Sequence, residues 1–137
     1  MADEFLDTNV ILRFVLQDHP EHTARANRLM AELAAGGRSI ATSEAVIVEL
    51  VQVLSSKSLY SFPRADIRRH LAAIIELPGL EILHKATYLR ALDHYVTMNV
   101  DFVDALNVAH MEREGIRIVV SFDRDFDKVT GITRREP

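Results

Sequence analysis

A chain of 137 residues, 48% apolar and 26% charged, has the composition of an ordinary globular domain and excludes a disordered or low-complexity polymer. The formal charge of −4 argues against a protein that coats nucleic acid through many basic contacts, but acids gathered around a cation leave a nuclease open. With no cysteine, disulfides, thiolate nucleophiles and cysteine-bound zinc are excluded, so a reactive site must be built from oxygen and nitrogen. No apolar run approaches the roughly 18 to 20 residues of a membrane helix, and the start MADEFLD lacks a signal-peptide pattern. The expectation is one cytoplasmic domain over residues 1–137, with no membrane partner.

In chain order, residues 4–6 (EFL) read as a short strand and Asn9 to Leu16 as a helix. Pro20 to Ala35 is a stronger helix, with Ala24, Leu29, Met30 and Leu33 near 3.6 spacing and Gly36-Gly37 as its stop. Ser39 to Thr42 is β-like, and Ser43 opens a helix with a broad apolar stripe of Val46, Ile47, Leu50, Val51 and Leu54. Pro63 suits a helix first turn, and the pattern through Ile67, Leu71, Ile74 and Ile75 ends at Pro78-Gly79. Leu80 to Leu83 is a strand candidate. Helices follow from Ala86 to about Met98 and from Phe102 to Glu114, the second closed by Gly115. Ile116 to Val120 (IRIVV) has the β-branched, nearly all-apolar character of a central parallel strand. Helices alternating with short buried strands predict parallel βαβ units, with helices on both faces of one sheet.

Ligands of such sheets bind at the carboxyl ends of the strands. Asp7 follows the first strand, and Asp123 lies just past the last. Asp101 and Asp104, in DFVDALNVAH, share one face at the start of a helix. Glu49, in AVIVELVQVL, is expected to be partly buried, where an unpaired carboxylate is costly. A hard divalent cation such as Mg²⁺ or Mn²⁺, held by Asp7, Glu49, Asp104 and Asp123, answers that cost. Each acid also has a simpler use: Asp7 as a helix cap, Asp101 and Asp104 as partners of a helix dipole, Asp123 as a turn residue and Glu49 in a salt bridge. Arg134 and Arg135 near the end read as a solvated basic terminus or a phosphate contact.

Among other chemistries, the six histidines (His19, His22, His70, His84, His94 and His110) form no HExxH or paired-ligand spacing and are assigned to surfaces and helix packing. Phosphate loops, GxSxG elbows and cysteine nucleophiles are missing too.

LDTNVIL, VIVELVQVL, DFVDALNVAH and SFDRDF, in that order, resemble the four acidic motifs of PIN-domain ribonucleases, and the likeness is closest to the VapC toxins of toxin-antitoxin modules. The resemblance implies a three-layer α/β/α fold with a short, mainly parallel central sheet. It assigns catalysis and metal binding to Asp7, Glu49, Asp104 and Asp123, with Asn9, Asp101 and Ser121 supporting them. Ser121 stands where the family more often has threonine. Asp125 is the rival to Asp123 if the last motif is shifted by two residues.

By the same resemblance the activity is Mg²⁺- or Mn²⁺-dependent endoribonuclease action giving 5′-phosphate and 3′-hydroxyl ends. The implied partners are an RNA substrate, a VapB-like antitoxin that sets a basic side chain among the acids, and a second copy in a homodimer. The Val46, Ile47 and Leu50 helix and the segment from Leu59 to Leu71 are candidate dimer surfaces, with core packing the favoured use of any single residue. Two other classes compete: a non-catalytic PIN-like scaffold that binds RNA or protein, and a receiver-like Mg²⁺-binding regulatory domain. The receiver needs paired acids after the first strand, where this chain has Asp7 alone, and a lysine after the last.

Overall fold

Helices form where the apolar periodicity demands them. The computed structural model describes residues 2–137 and contains α1 (Thr8–Leu16), α2 (Pro20–Ala35), α3 (Glu44–Ser55), α4 (Arg64–Ile75), α5 (Lys85–Thr97) and α6 (Phe102–Glu114). The strands are β1 (Ile40–Ala41), β2 (Leu80–Glu81), β3 (Ile118–Val120) and β4 (Thr133–Arg135), and a 3₁₀ turn covers Arg124–Lys128. This is the expected α/β class with short parallel strands. The chain divides into two compact units, Met1–Lys85 and Ala86–Pro137.

In the first unit, Glu4, Phe5 and Leu6 lie beside β1, which lies beside β2, all parallel. The Leu6 N–H donates to the Ala41 carbonyl at 2.7 Å, and the Ala41 N–H donates to that of Glu4 at 2.9 Å. Parallel strands put their carboxyl ends on one edge, so Asp7 and the Thr42-Ser43 entry to α3 leave the ladder together. The Thr42 hydroxyl fixes that edge by donating to the Leu6 carbonyl at 3.1 Å. On α2 the buried stripe is Thr23, Ala26, Met30 and Leu33; Ala24, assigned to it by spacing, faces solvent. Gly36 ends the helix at φ +76°, a left-handed conformation that glycine adopts without a Cβ penalty.

The α3 stripe falls as expected, with Val46, Ile47, Leu50, Val51 and Leu54 all buried. Ile67, Leu71, Ile74 and Ile75 of α4 are buried too. Val46, Ile47, Leu50, Ile67 and Leu71 are core residues, the favoured of their two uses, and in the Leu59 to Leu71 segment the exposed large apolar side chains are Leu59 and Tyr60. Pro63 stands one position outside α4 as its cap residue.

In the second unit, α6 ends as the sequence predicts, with Gly115 at φ +72°. Tyr95 and Phe102 meet edge to face, with ring centroids 5.8 Å apart. Val108, Phe126 and Val129 form a small core against which Met98, Val119 and Ile132 pack. The buried central strand expected at residues 116–120 is shorter and differently placed. It begins at Ile118, pairs with β4, and leaves Ile118 and Val120 exposed while Val119 faces the core. Alternation along a half-covered strand explains this, and a run of apolar letters cannot distinguish it from burial on both faces. β4 forms from the segment read as a basic terminus. Its Arg134 is largely covered and pairs with Asp127 at 3.0 Å, while Arg135 is exposed.

No described helix is long and apolar enough to cross a membrane.

Candidate metal centre

Asp7 leaves its strand in extended geometry and caps α1, its carboxylate accepting the Asn9 N–H at 3.5 Å. The bond is long for a hydrogen bond, so the cap leaves most of the carboxylate's acceptor capacity uncommitted. Thr8 is buried beneath it, whereas Asp7 and Asn9 are exposed. The next acid, Glu49, faces solvent on α3, contrary to the burial expected from its apolar neighbours. The α3 stripe takes the positions on either side, Ile47, Leu50 and Val51, and turns residue 49 outward. Desolvation therefore gives Glu49 no need of a cation.

In the second unit three carboxylates converge. Asp104, Asp123 and Asp125 each offer an oxygen, all within 4.8 Å of one another. Asp104 comes from the first turn of α6, and the other two come from the turn after β3. Local hydrogen bonds shape that turn: the Asp123 N–H donates to Ser121 Oγ at 2.9 Å, and Asp123 Oδ1 accepts the Asp125 N–H at 2.9 Å. The Ser121 hydroxyl oxygen is thus a backbone acceptor within the turn. Arg134 Nη1 braces the same turn through the Ser121 carbonyl at 3.2 Å.

Charge distinguishes the three acids. Asp125 has a cation close by, Lys128 Nζ at 3.3 Å. Burial, together with the negative charges of Asp123, Asp101 and Asp125, holds the Asp104 carboxyl above the ordinary aspartate range. Asp101 stands at the cap position of α6 without a side-chain capping bond, so it adds negative charge there rather than satisfying the helix. Carboxylates crowded together, with repulsion falling on Asp104, also suit a hard divalent cation, which takes oxygen ligands and cancels that repulsion. Asp104 and Asp123 from the expected set meet here, and Asp125, weighed only as a rival to Asp123, joins them.

The histidines occupy surface and packing roles as expected. His94 is buried on α5, and its Nε2 lies 2.5 Å from Glu112 Oε1. His19 stacks on His22, and His110 meets Tyr88 edge to face.

A family model described as the PIN domain matches residues 5–132, spanning both units. A VapC ribonuclease of Aquifex aeolicus is 30% identical over 126 residues, 92% of this chain and 91% of that protein. Ribonuclease VapC13 of Mycobacterium tuberculosis and a VapC ribonuclease of Mycobacterium bovis are each 30% identical over 133 residues, 94% of this chain and 96% of theirs. The chain belongs to the PIN-domain family, among relatives named VapC ribonucleases.

Proposed function

We propose that the protein is a Mg²⁺- or Mn²⁺-dependent endoribonuclease, the toxin of a VapBC pair, acting in the cytoplasm as one domain over residues 1–137. The observation that carries this reading is the approach of Asp104, Asp123 and Asp125 to within 4.8 Å in a chain of the PIN family. Asp7, Glu49, Asp104 and Asp123 are the proposed metal-holding and catalytic carboxylates, with Asn9, Asp101 and Ser121 in support. When bound, the divalent cation supplies acidification of water and neutralisation of charge that develops on the phosphorane and the leaving oxygen.

The chain's own groups do the rest. Glu49, free of burial, orients the attacking water and accepts its proton. The bond from phosphorus to the 3′-oxygen breaks, and that oxygen takes up a proton, leaving 5′-phosphate and 3′-hydroxyl ends. Ser121 and Arg134 hold the turn that carries Asp123, so the carboxylate is preorganised before substrate arrives. Asp101 deepens the negative field at Asp104, which favours a cation and opposes bare phosphate.

The same field suits a VapB-like antitoxin that inserts a basic side chain among the acids. A homodimer is the proposed assembly, with an isologous contact of the kind common to small oligomers.

The test is digestion of total cellular RNA by the full-length, partner-free protein, with Mg²⁺ or Mn²⁺ and with EDTA, beside Asp104→Asn. Cutting that requires the metal and disappears in the variant is the expected result. Folded protein that binds Mn²⁺ yet cuts nothing would overturn the catalytic reading and favour a binding scaffold.

A further inference from the structure

Between α1 and α2, within the first unit, a cleft of about 420 Å³ is lined by Asn9, Val10, Arg13, His22, Arg25, Ala26, Leu29 and Arg38. That volume lies in the range of small-ligand sites, roughly 300–1,000 Å³. Three guanidinium groups and no carboxylate line it, in a protein whose formal charge is −4. Asp18 offsets Arg13, and Glu4 and Glu32 offset Arg38, so the uncompensated positive charge at the cleft is that of Arg25.

The arginines differ in what they have left to give. Arg38 commits Nε and Nη2 to Glu4 and Nη1 to Glu32, so it forms a wall. Arg13 binds Asp18 through Nη1 alone, at 2.8 and 3.0 Å, which leaves Nε and Nη2 as donors. The Arg25 guanidinium has no hydrogen bond or ion pair among the described residues, and it is exposed. A planar fork with all its donors free is suited to a phosphate, which it can grip through two parallel bonds. Beside it, Val10, Ala26 and Leu29 give an apolar surface, and the exposed His22 ring, stacked on His19 through one face, adds an aromatic group. Nucleotides combine an anion with a flat, stackable base, and single-stranded RNA is bound by this pairing of basic and stacking groups.

The cleft also has an address. Asn9 lines it, and the Asn9 N–H is the group that the Asp7 carboxylate accepts. We propose that this cleft is a nucleotide subsite for the RNA strand, binding a phosphate that flanks the scissile one through Arg25 and Arg13, with the base against Leu29 and His22. The inference rests on the ribonuclease reading for its substrate, and it makes Arg25 and His22 binding residues of that reaction. The polyanion it commits to is RNA, by the free Arg25 fork, which suits a phosphate, and by the flat aromatic and apolar surface beside it, which suits a base.

The experiment measures binding apart from cleavage. A fluorescent single-stranded 12-nucleotide RNA is titrated with the full-length protein in EDTA at several salt concentrations, for wild type, Arg25→Ala, Arg25→Lys, His22→Ala and Arg28→Ala. Arg28 lies on the same helix outside the cleft, is exposed, and has no side-chain partner among the described residues, so it controls for loss of one charge. Arg25→Ala is expected to raise Kd about tenfold and to lower the slope of log Kd against log salt by about 0.7, the value of one phosphate contact on a single strand. Arg25→Lys should retain most of the slope, His22→Ala should weaken binding through lost stacking, and Arg28→Ala should match wild type.

Equal affinities for Arg25→Ala and Arg28→Ala would overturn the subsite. So would displacement of the RNA by an equal concentration of a poly-glutamate peptide of matched charge, which would assign the cleft to an acidic protein segment. Metal-dependent cleavage lost in Asp104→Asn, with binding indifferent to Arg25, would sink the subsite alone. Arg25-dependent binding with no cleavage in Mn²⁺ would keep the subsite and sink the nuclease.

Discussion

The carboxylate of Asp123 accepts the backbone N–H of Asp125 at 2.9 Å, so the first acid of the turn folds the chain that brings the second to its side. One residue is thus both a structural cap and a member of the acidic cluster. The sequence offered these as rival readings, and the geometry makes them compatible, because a carboxylate has more acceptor sites than one N–H can occupy.

That relationship predicts unequal roles for neighbouring acids. Asp123→Asn is expected to lower the RNA-cleavage rate by about 100-fold or more, the scale of losing a metal ligand's charge. Asp125→Asn should lower it much less, because Lys128 already offsets the Asp125 charge. The comparison is made by single-turnover cleavage in Mn²⁺. Equal losses would show that Asp125 ranks with Asp123 as a ligand.

Stability in EDTA should respond to pH through Asp104 with a definite sign. Its carboxyl is held above the ordinary aspartate range, first by burial and then by neighbouring negative charge. Its contribution to stability is then fully present below the ordinary aspartate pKa and is lost as pH rises through the raised value. Asp104→Asn should remove that loss, giving at neutral pH a melting temperature in EDTA at or above that of wild type. Mn²⁺ should raise the wild-type melting temperature and leave the variant much less affected. A variant markedly less stable than wild type in EDTA contradicts the repulsion.

Glu112 carries the opposite sign. Burial would raise its pKa, but hydrogen bonds from Arg90 and His94 outweigh burial and hold it below the ordinary glutamate value. An ionised carboxylate only accepts, so the His94 ring donates in this contact. The stabilisation is present above the ordinary glutamate pKa and disappears as pH falls through the lowered value. Thermal melts of Glu112→Gln between neutral and acid pH should show a flatter acid limb than wild type, and an unchanged limb would refute the assignment.

Gly79 tests packing in the first unit. A Cβ there would lie 2.2 Å from the Arg38 carbonyl oxygen and 2.9 Å from Leu33 Cα, and backbone atoms cannot step aside as a flexible side chain can. Gly79→Ala is expected to cost about 1–3 kcal/mol or more by urea unfolding. A wild-type midpoint would mean that the β1–β2 ladder relaxes without penalty.

The helices were legible because they follow from period and punctuation. The α3 stripe, the Gly36 and Gly115 stops and the Phe102–Glu114 helix all emerge from apolar spacing and left-handed caps. Exposure was harder to read. Glu49 and Ile118 both sit among apolar neighbours, yet a helix turns one outward and a half-covered strand turns out the other. β4 escaped notice because Thr133–Arg135 carries no apolar signal; it is held by pairing with β3 and by the Arg134 ion pair to Asp127. Long-range pairing of this kind is invisible to local pattern. The basic cleft between α1 and α2 was equally hidden, since its arginines are 12 and 13 positions apart in sequence.

If Asp7, Glu49, Asp104 and Asp123 serve one reaction, a single cleavage assay will show it. Single-turnover rates on one RNA in saturating Mn²⁺ would be measured for Asp7→Asn, Glu49→Gln, Asp104→Asn and Asp123→Asn, and for the double variant Asp7→Asn with Asp104→Asn. Groups that act as a unit lose activity non-additively. Each single change is therefore predicted to remove about two orders of magnitude or more, and the double variant to fall little further. A wild-type rate in Asp7→Asn or Glu49→Gln, with the protein folded and Mn²⁺ bound, would contradict the claim and confine the chemistry to Asp104, Asp123 and Asp125.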